Sequence, residues 1–98
     1  MVKKEQIIEA LKKVYDPEIQ YDIYCLGLIY DIQIKGKKIR IVMTLTSPMC
    51  PYGGALMDDV RRNASAVDGV GEVEIELTFS PAWTPERMTE EARMALGF

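Results

Sequence analysis

Histidine is absent from the 98 residues. Its absence removes every Cys-His or Ser-His nucleophile pair, and every histidine-containing metal site, that this chain alone would supply. Cysteine is scarce: only Cys25 and Cys50 are present. Residues 1–5 lead into an amphipathic pattern and not into a secretory leader, so a structural disulfide is not expected and the cytoplasm is the expected compartment. No apolar run approaches the roughly 18 consecutive residues that a membrane helix needs. Basic residues occur in pairs, Lys3-Lys4, Lys12-Lys13, Lys37-Lys38 and Arg61-Arg62, scattered among acidic ones in a chain of net charge -3. They build no stripe along which a phosphate backbone would lie, so neither nucleic acid nor a membrane is an expected partner. With 48% hydrophobic and 28% charged residues, the chain has the make-up of an ordinary globular protein, read as one domain over residues 1–98.

What is present is regular periodicity. Ile7, Ile8, Leu11 and Val14 recur at helical spacing, which predicts an amphipathic helix over about residues 2–15, stopped by Pro17. Residues 19–28 are apolar but irregular and read as a packed connecting segment. Leu28, Tyr30, Ile32 and Ile34 then alternate with Ile29, Asp31, Gln33 and Lys35, and Ile39, Ile41, Met43 and Leu45 alternate with Arg40, Val42, Thr44 and Thr46. With a turn at residues 35–38 between them, the two runs predict a β-hairpin. Leu56, Val60, Ala64 and Val67 mark one face of a second helix, ended by Gly69 and Gly71. Residues 72–79 alternate without a break and predict a strand with one buried and one acidic face. Thr84-Pro85 reads as N-cap and first residue of a last helix lined inside by Met88, Ala92, Ala95 and Leu96. Most of the methionines, Met43, Met49, Met57, Met88 and Met94, read as core filler.

The expected fold is therefore a two-layer α/β (α+β) domain of order α-β-β-α-β-α. A small three-stranded mixed sheet carries helices mainly on one face, and the crossover between its second and third strands is right-handed.

The chain is organised around residues 44–54, Thr-Leu-Thr-Ser-Pro-Met-Cys-Pro-Tyr-Gly-Gly, where a strand stops and a helix begins. Pro51 suits a first helical turn, which would put Cys50 at or just before the helix N-terminus, beside unpaired N–H groups and the positive end of the helix dipole. A thiolate is favoured there, and Gly53 and Gly54 leave room for a ligand or a second backbone. A packed, hydrophobic Cys50 is the competing reading. Asp16 and Glu18 flank Pro17 on a bend; read from the residues alone they form a solvated turn with Asp16 as a local cap. In open α/β sheets ligands gather beyond the C-terminal ends of strands, which is where the Cys50 loop would lie.

Four stretches resemble the PaaD/SufT-like iron-sulfur assembly family: Asp16-Pro17-Glu18-Ile19, Leu26-Gly27-Leu28-Ile29-Tyr30-Asp31, the run Met43 to Pro51, and Trp83-Thr84-Pro85-Glu86 followed by Glu90-Glu91-Ala92-Arg93. They span nearly the whole chain in the family's order and spacing. The resemblance implies a fold like the scaffold domains of cluster assembly. It implies a non-enzymatic role in assembling iron-sulfur clusters or delivering them to client apoproteins, with other assembly factors as partners. It also implies that Asp16, Glu18, Thr46, Ser47 and Cys50 share one pocket, with Cys50 as the reactive or ligating group toward a transiently bound cluster or iron. Three positions depart from the family pattern: Cys25 where an acidic residue is common, Gln20 where proline is common, and Ser80 where aspartate is frequent. Cys25 is either a second ligand folded over the Cys50 loop or a buried spectator.

Clusters are commonly held by four thiolates, so one cysteine cannot hold a cluster alone. Cys50 must share it across a homodimer, borrow ligands from a client or small thiol, or act as a docking contact. The helix terminus and the carboxylates of Asp16 and Glu18 pull the Cys50 thiol in opposite directions. An adaptor that recruits clients through the same loop surface and never touches iron is the alternative. A thiol hydrolase or transferase is the weakest reading, since the chain lacks an imidazole base.

Overall fold

In the computed structural model, residues 2–46 and 53–97 are described. Helix α1 (Lys4–Leu11) is opened by Gln6, whose side-chain oxygen accepts from the Lys3 amide at 2.8 Å, and it buries Ile7, Ala10 and Leu11. It is shorter than the periodicity predicts. Lys13 and Val14 donate to Ala10 and Leu11 in tighter turns, the Ile23 amide donates to the Val14 carbonyl, and Tyr15 bridges antiparallel to Asp22. Residues 14 and 15 are thus claimed by partners across a loop and cannot continue the helix.

The connecting segment packs as expected, with Ile23, Leu26 and Leu28 fully buried. Strands β1 (Ile29–Lys35) and β2 (Lys38–Met43) form the antiparallel hairpin. Gly36, the first of its two loop residues, has φ 61, the left-handed region that a tight hairpin loop reserves for glycine. The expected alternation in β1 fails at one place. Ile29 pairs with Met43 and Asp31 with Val42, so Tyr30 is an extra, bulged residue, and Ile29 instead of Tyr30 stands on the core face opposite Met43. β2 ends at Met43. Thr44, expected on the outer face, is fully buried because its amide donates to the Leu28 carbonyl at 2.8 Å.

Helix α2 (Gly53–Ser65) buries Gly53, Leu56, Val60 and Ala64, with Val67 packed on the core just beyond it. Two i,i+3 ion pairs, Asp58 with Arg61 and Asp59 with Arg62, lie on its outer side. Strand β3 (Glu72–Leu77) returns parallel to β2, giving the order β1-β2-β3. The central strand carries the core through Ile39, Ile41 and Met43, which join Ile7, Leu11, Leu56 and Val60 in one cluster. On the other face Lys38 lies 3.7 Å from both Glu72 and Glu74, and Arg40 pairs with Glu76. Because β3 is an edge strand, its apolar face is less covered than predicted: Val73 and Ile75 are half-buried, and Leu77 is 38% exposed.

The C-terminal segment differs from expectation in where its helix begins. Thr84-Pro85 opens only a short 3-10 turn, Pro85–Arg87, and α3 (Glu90–Leu96) is capped by Thr89, whose hydroxyl accepts from the Ala92 amide at 3.2 Å. Met88 separates the two because it is extended and buried. Ala92 is buried, but Ala95 is exposed, and Met94 is 76% exposed instead of filling core. Met49 lies outside the described residues.

Candidate functional site

The C-terminal end of β2 is enclosed on both sides. The Thr78 amide donates to the Met43 carbonyl from β3, and the Thr44 amide donates to Leu28 just before β1. Leu45, buried, follows, and then Thr46, half-buried. Ser47 and Cys50 lie outside the described residues, as does Pro51 with its expected place in the first helical turn. On the far side of that span Gly53 is packed so closely on Leu45 that a Cβ at Gly53 would lie 2.8 Å from Leu45 Cδ1. A Cβ at Gly54 meets nothing within 4 Å. Among the described residues the two glycines therefore differ: the space beside Gly53 belongs to the core, whereas Gly54 is exposed and no described atom fills the place of its Cβ.

Asp16 is 1% exposed. Its Oδ1 accepts from the Glu18 amide at 2.8 Å and the Ile19 amide at 3.1 Å, while its backbone bonds to Tyr21 and Gln20 close the same loop. This is a local cap, as the residues alone suggest, but buried and not solvated. Gln20 reaches across the loop with φ 61, a value closed to proline, whose ring holds φ near -65°. Glu18 is exposed and enters no ion pair among the described residues. Described hydrogen bonds join Asp16 to its own loop and none joins Asp16 or Glu18 to Thr46. The loop is tied to the sheet through a relay: Val14 to Ile23, then Ile23 to Leu28.

Cys25 is half-buried against the core, and its amide donates to Asp22 Oδ1 at 2.8 Å. Burial pushes its thiol up from the ordinary value, and the Asp22 carboxylate beside it pushes the same way; Thr89 and Lys12 offset only part of this. The thiol is protonated at neutral pH, the poorer form for ligation. Among the described residues no three His, Cys, Asp or Glu side chains are grouped as a metal site would require.

The C-terminal segment clasps the same end of the molecule. Trp83 Nε1 donates to the Leu26 carbonyl at 2.7 Å and the Thr89 amide to the Cys25 carbonyl at 2.9 Å. Gly27, at φ 81, sits where a Cβ would be 2.2 Å from the Arg87 carbonyl oxygen. The Arg87 guanidinium lies 4.7 Å above the Tyr30 ring, whose hydroxyl donates to the Pro81 carbonyl. The Arg87–Tyr30 pair escaped the sequence reading; its one signal, the alternation of Tyr30 in β1, pointed to the core instead. The motifs around Leu26, Met43 and Trp83, far apart in the chain, thus meet at one end of the sheet.

Comparison with known proteins agrees with this convergence. The profile of the iron-sulfur cluster assembly protein family matches residues 4–77. A Porphyromonas gingivalis protein named Fe-S protein maturation auxiliary factor is 44% identical over 97% of this chain and 91% of its own length. The Fe-S protein maturation auxiliary factor SufT of Staphylococcus aureus is 36% identical over 86% of this chain and 97% of its own. A domain of unknown function from Bacillus anthracis superposes with a TM-score of 0.91 at 37% identity, covering 97% of this chain and 92% of that one. With a profile matched across all three strands and a relative similar along nearly its whole length, the chain belongs to the iron-sulfur cluster assembly protein family.

Proposed function

We propose that this chain is a non-catalytic accessory factor in iron-sulfur cluster assembly or delivery, working at the C-terminal end of β2 with Cys50 as a transient thiolate contact. The observation that carries the reading is the 44% identity, over 97% of the chain, to a protein named as a maturation auxiliary factor. The geometry supports it in one respect: Leu45 and Gly53, the described residues that flank the stretch holding Ser47 and Cys50 in sequence, pack against each other, one following the central strand and the other opening α2. The cluster is cargo here. One thiolate is a quarter of the usual ligand set, which suits passage to a client apoprotein or another assembly factor and not storage. Thr46 and Ser47 supply hydroxyls beside Cys50 in sequence, and the exposed Glu18 carboxylate presents a charge to partners. Asp16 holds the loop that presents Glu18.

The test compares wild type with Cys50→Ser in two assays. The first is activation of an iron-sulfur client in cells lacking the wild-type chain. The second is anaerobic reconstitution with iron and sulfide followed by visible absorption. Loss of client activation together with loss of colour supports a cluster contact through Cys50. Full activation by Cys50→Ser removes the thiol from the mechanism. A wild-type protein that activates its client yet stays colourless is the adaptor that recruits clients without touching iron.

A further inference from the structure

The clasp between the C-terminal segment and the start of β1 leaves a concavity of about 390 Å³ lined by Gly27, Ile29, Tyr30, Pro81 and Arg87. Among the described residues its lining holds one cation and no carboxylate, in a chain whose net charge is -3. Arg87 is held in place from below and behind. The Tyr30 ring supports one face of the guanidinium, the Tyr30 hydroxyl is fixed by Pro81, and the Arg87 backbone is anchored by its amide donating to Thr84 and by close contact with Gly27. Yet Arg87 has no ion-pair or side-chain hydrogen-bond partner among the described residues.

A guanidinium stacked on an aromatic ring keeps its edge N–H donors free for a coplanar two-oxygen acceptor. The site supplies one positive charge, which matches a monoanion better than a phosphate dianion. Pro81, exposed at the rim, offers apolar surface to a short aliphatic stem. We infer that this pocket receives the side-chain carboxylate of a glutamate or aspartate presented by a partner protein. The assignment does not depend on the chemistry of Cys50 and stands or falls separately from the cluster-delivery reading.

The experiment is an NMR titration of the intact chain at constant ionic strength with N-acetylglutamate N-methylamide, its glutamine counterpart and inorganic phosphate, following Arg87 Nε–H and Trp83 Nε1–H. The carboxylate compound should give a weak, saturable shift of Arg87, and the glutamine compound none, as suits a single solvent-facing charged contact. Arg87→Gln should weaken that binding by about tenfold or more, and Arg87→Lys, which keeps the charge but not the fork, by several-fold. No Arg87 response up to roughly 100 mM, far above the range of specific contacts, would overturn the assignment. So would an equal response to the glutamine compound, unchanged binding by both variants, or tighter binding of phosphate.

Discussion

Asp16 combines near-complete burial with two hydrogen bonds to its own loop, and each of those features costs stability when the carboxylate is removed. Replacing it by alanine should destabilise the fold by about 1–2 kcal/mol, the range for a lost cap that leaves amides unpaired. Urea denaturation measures this, and any loss of client activation in that variant has to be compared with its loss of folded protein. Cys25 makes a pH-dependent contribution. Its thiol is raised above the ordinary value of 9.0, first by burial and then by Asp22, so the folded state holds that proton more tightly than the unfolded chain. The associated stability is fully present below the unfolded value and is lost as pH rises through the higher folded value. Wild type should therefore lose more stability than Cys25→Ser as pH rises through 9.0 and above; parallel curves from denaturation at each pH would show that the thiol is unperturbed.

At the level of elements, the junction glycines of α2 separate two roles. Gly54 is exposed and no atom of the described residues lies where a Cβ would sit, so Gly54→Ala should stabilise by about 0.5–1 kcal/mol through backbone entropy. Gly53→Ala must displace buried Leu45 and should fall below Gly54→Ala by roughly 1 kcal/mol. Thermal melts of the two variants decide it. If Gly54→Ala is stable yet fails to activate the client, the surface at Gly54 is used by a partner. Strands were legible in this sequence because alternation is a local signal, and α2 was legible because Leu56, Val60 and Ala64 share one face. Element ends were not. Thr84-Pro85 is the stronger local start signal, but the burial of Met88 moves the start of α3 to Thr89, a tertiary effect no local pattern records. At the site, capping by Asp16 was readable from Asp-Pro-Glu, whereas its burial was not, since that depends on Val14 and Tyr15 leaving the helix to pair across the loop.

Across the whole molecule, residues 25–28 and 83–89 are clasped together by one indole hydrogen bond, one backbone hydrogen bond and the contact at Gly27. Gly27→Ala combines a left-handed φ with a Cβ driven into the Arg87 backbone, so it should cost more than about 2 kcal/mol, beyond the usual effect of a surface substitution. Trp83 fluorescence should report release of the C-terminal segment at lower denaturant than loss of helix; simultaneous loss would show that the clasp and core unfold as one. The extra residue at Tyr30 has a consequence for how this chain tolerates change in length. Side chains on a strand alternate with period 2, so the bulge sets the phase of everything before Asp31 relative to the sheet. Deleting Tyr30 would leave Ile29 opposite Met43 but remove the ring beneath Arg87, whereas deleting one residue between Ile32 and Ile34 would turn Ile32 off the core face; an added residue at the hairpin tip beside Gly36 lengthens a solvent-facing loop and leaves the phase intact. Variation in length is therefore expected at the tip and tolerated by the pairing at the bulge, and excluded within the regularly paired run from Asp31 to Lys35.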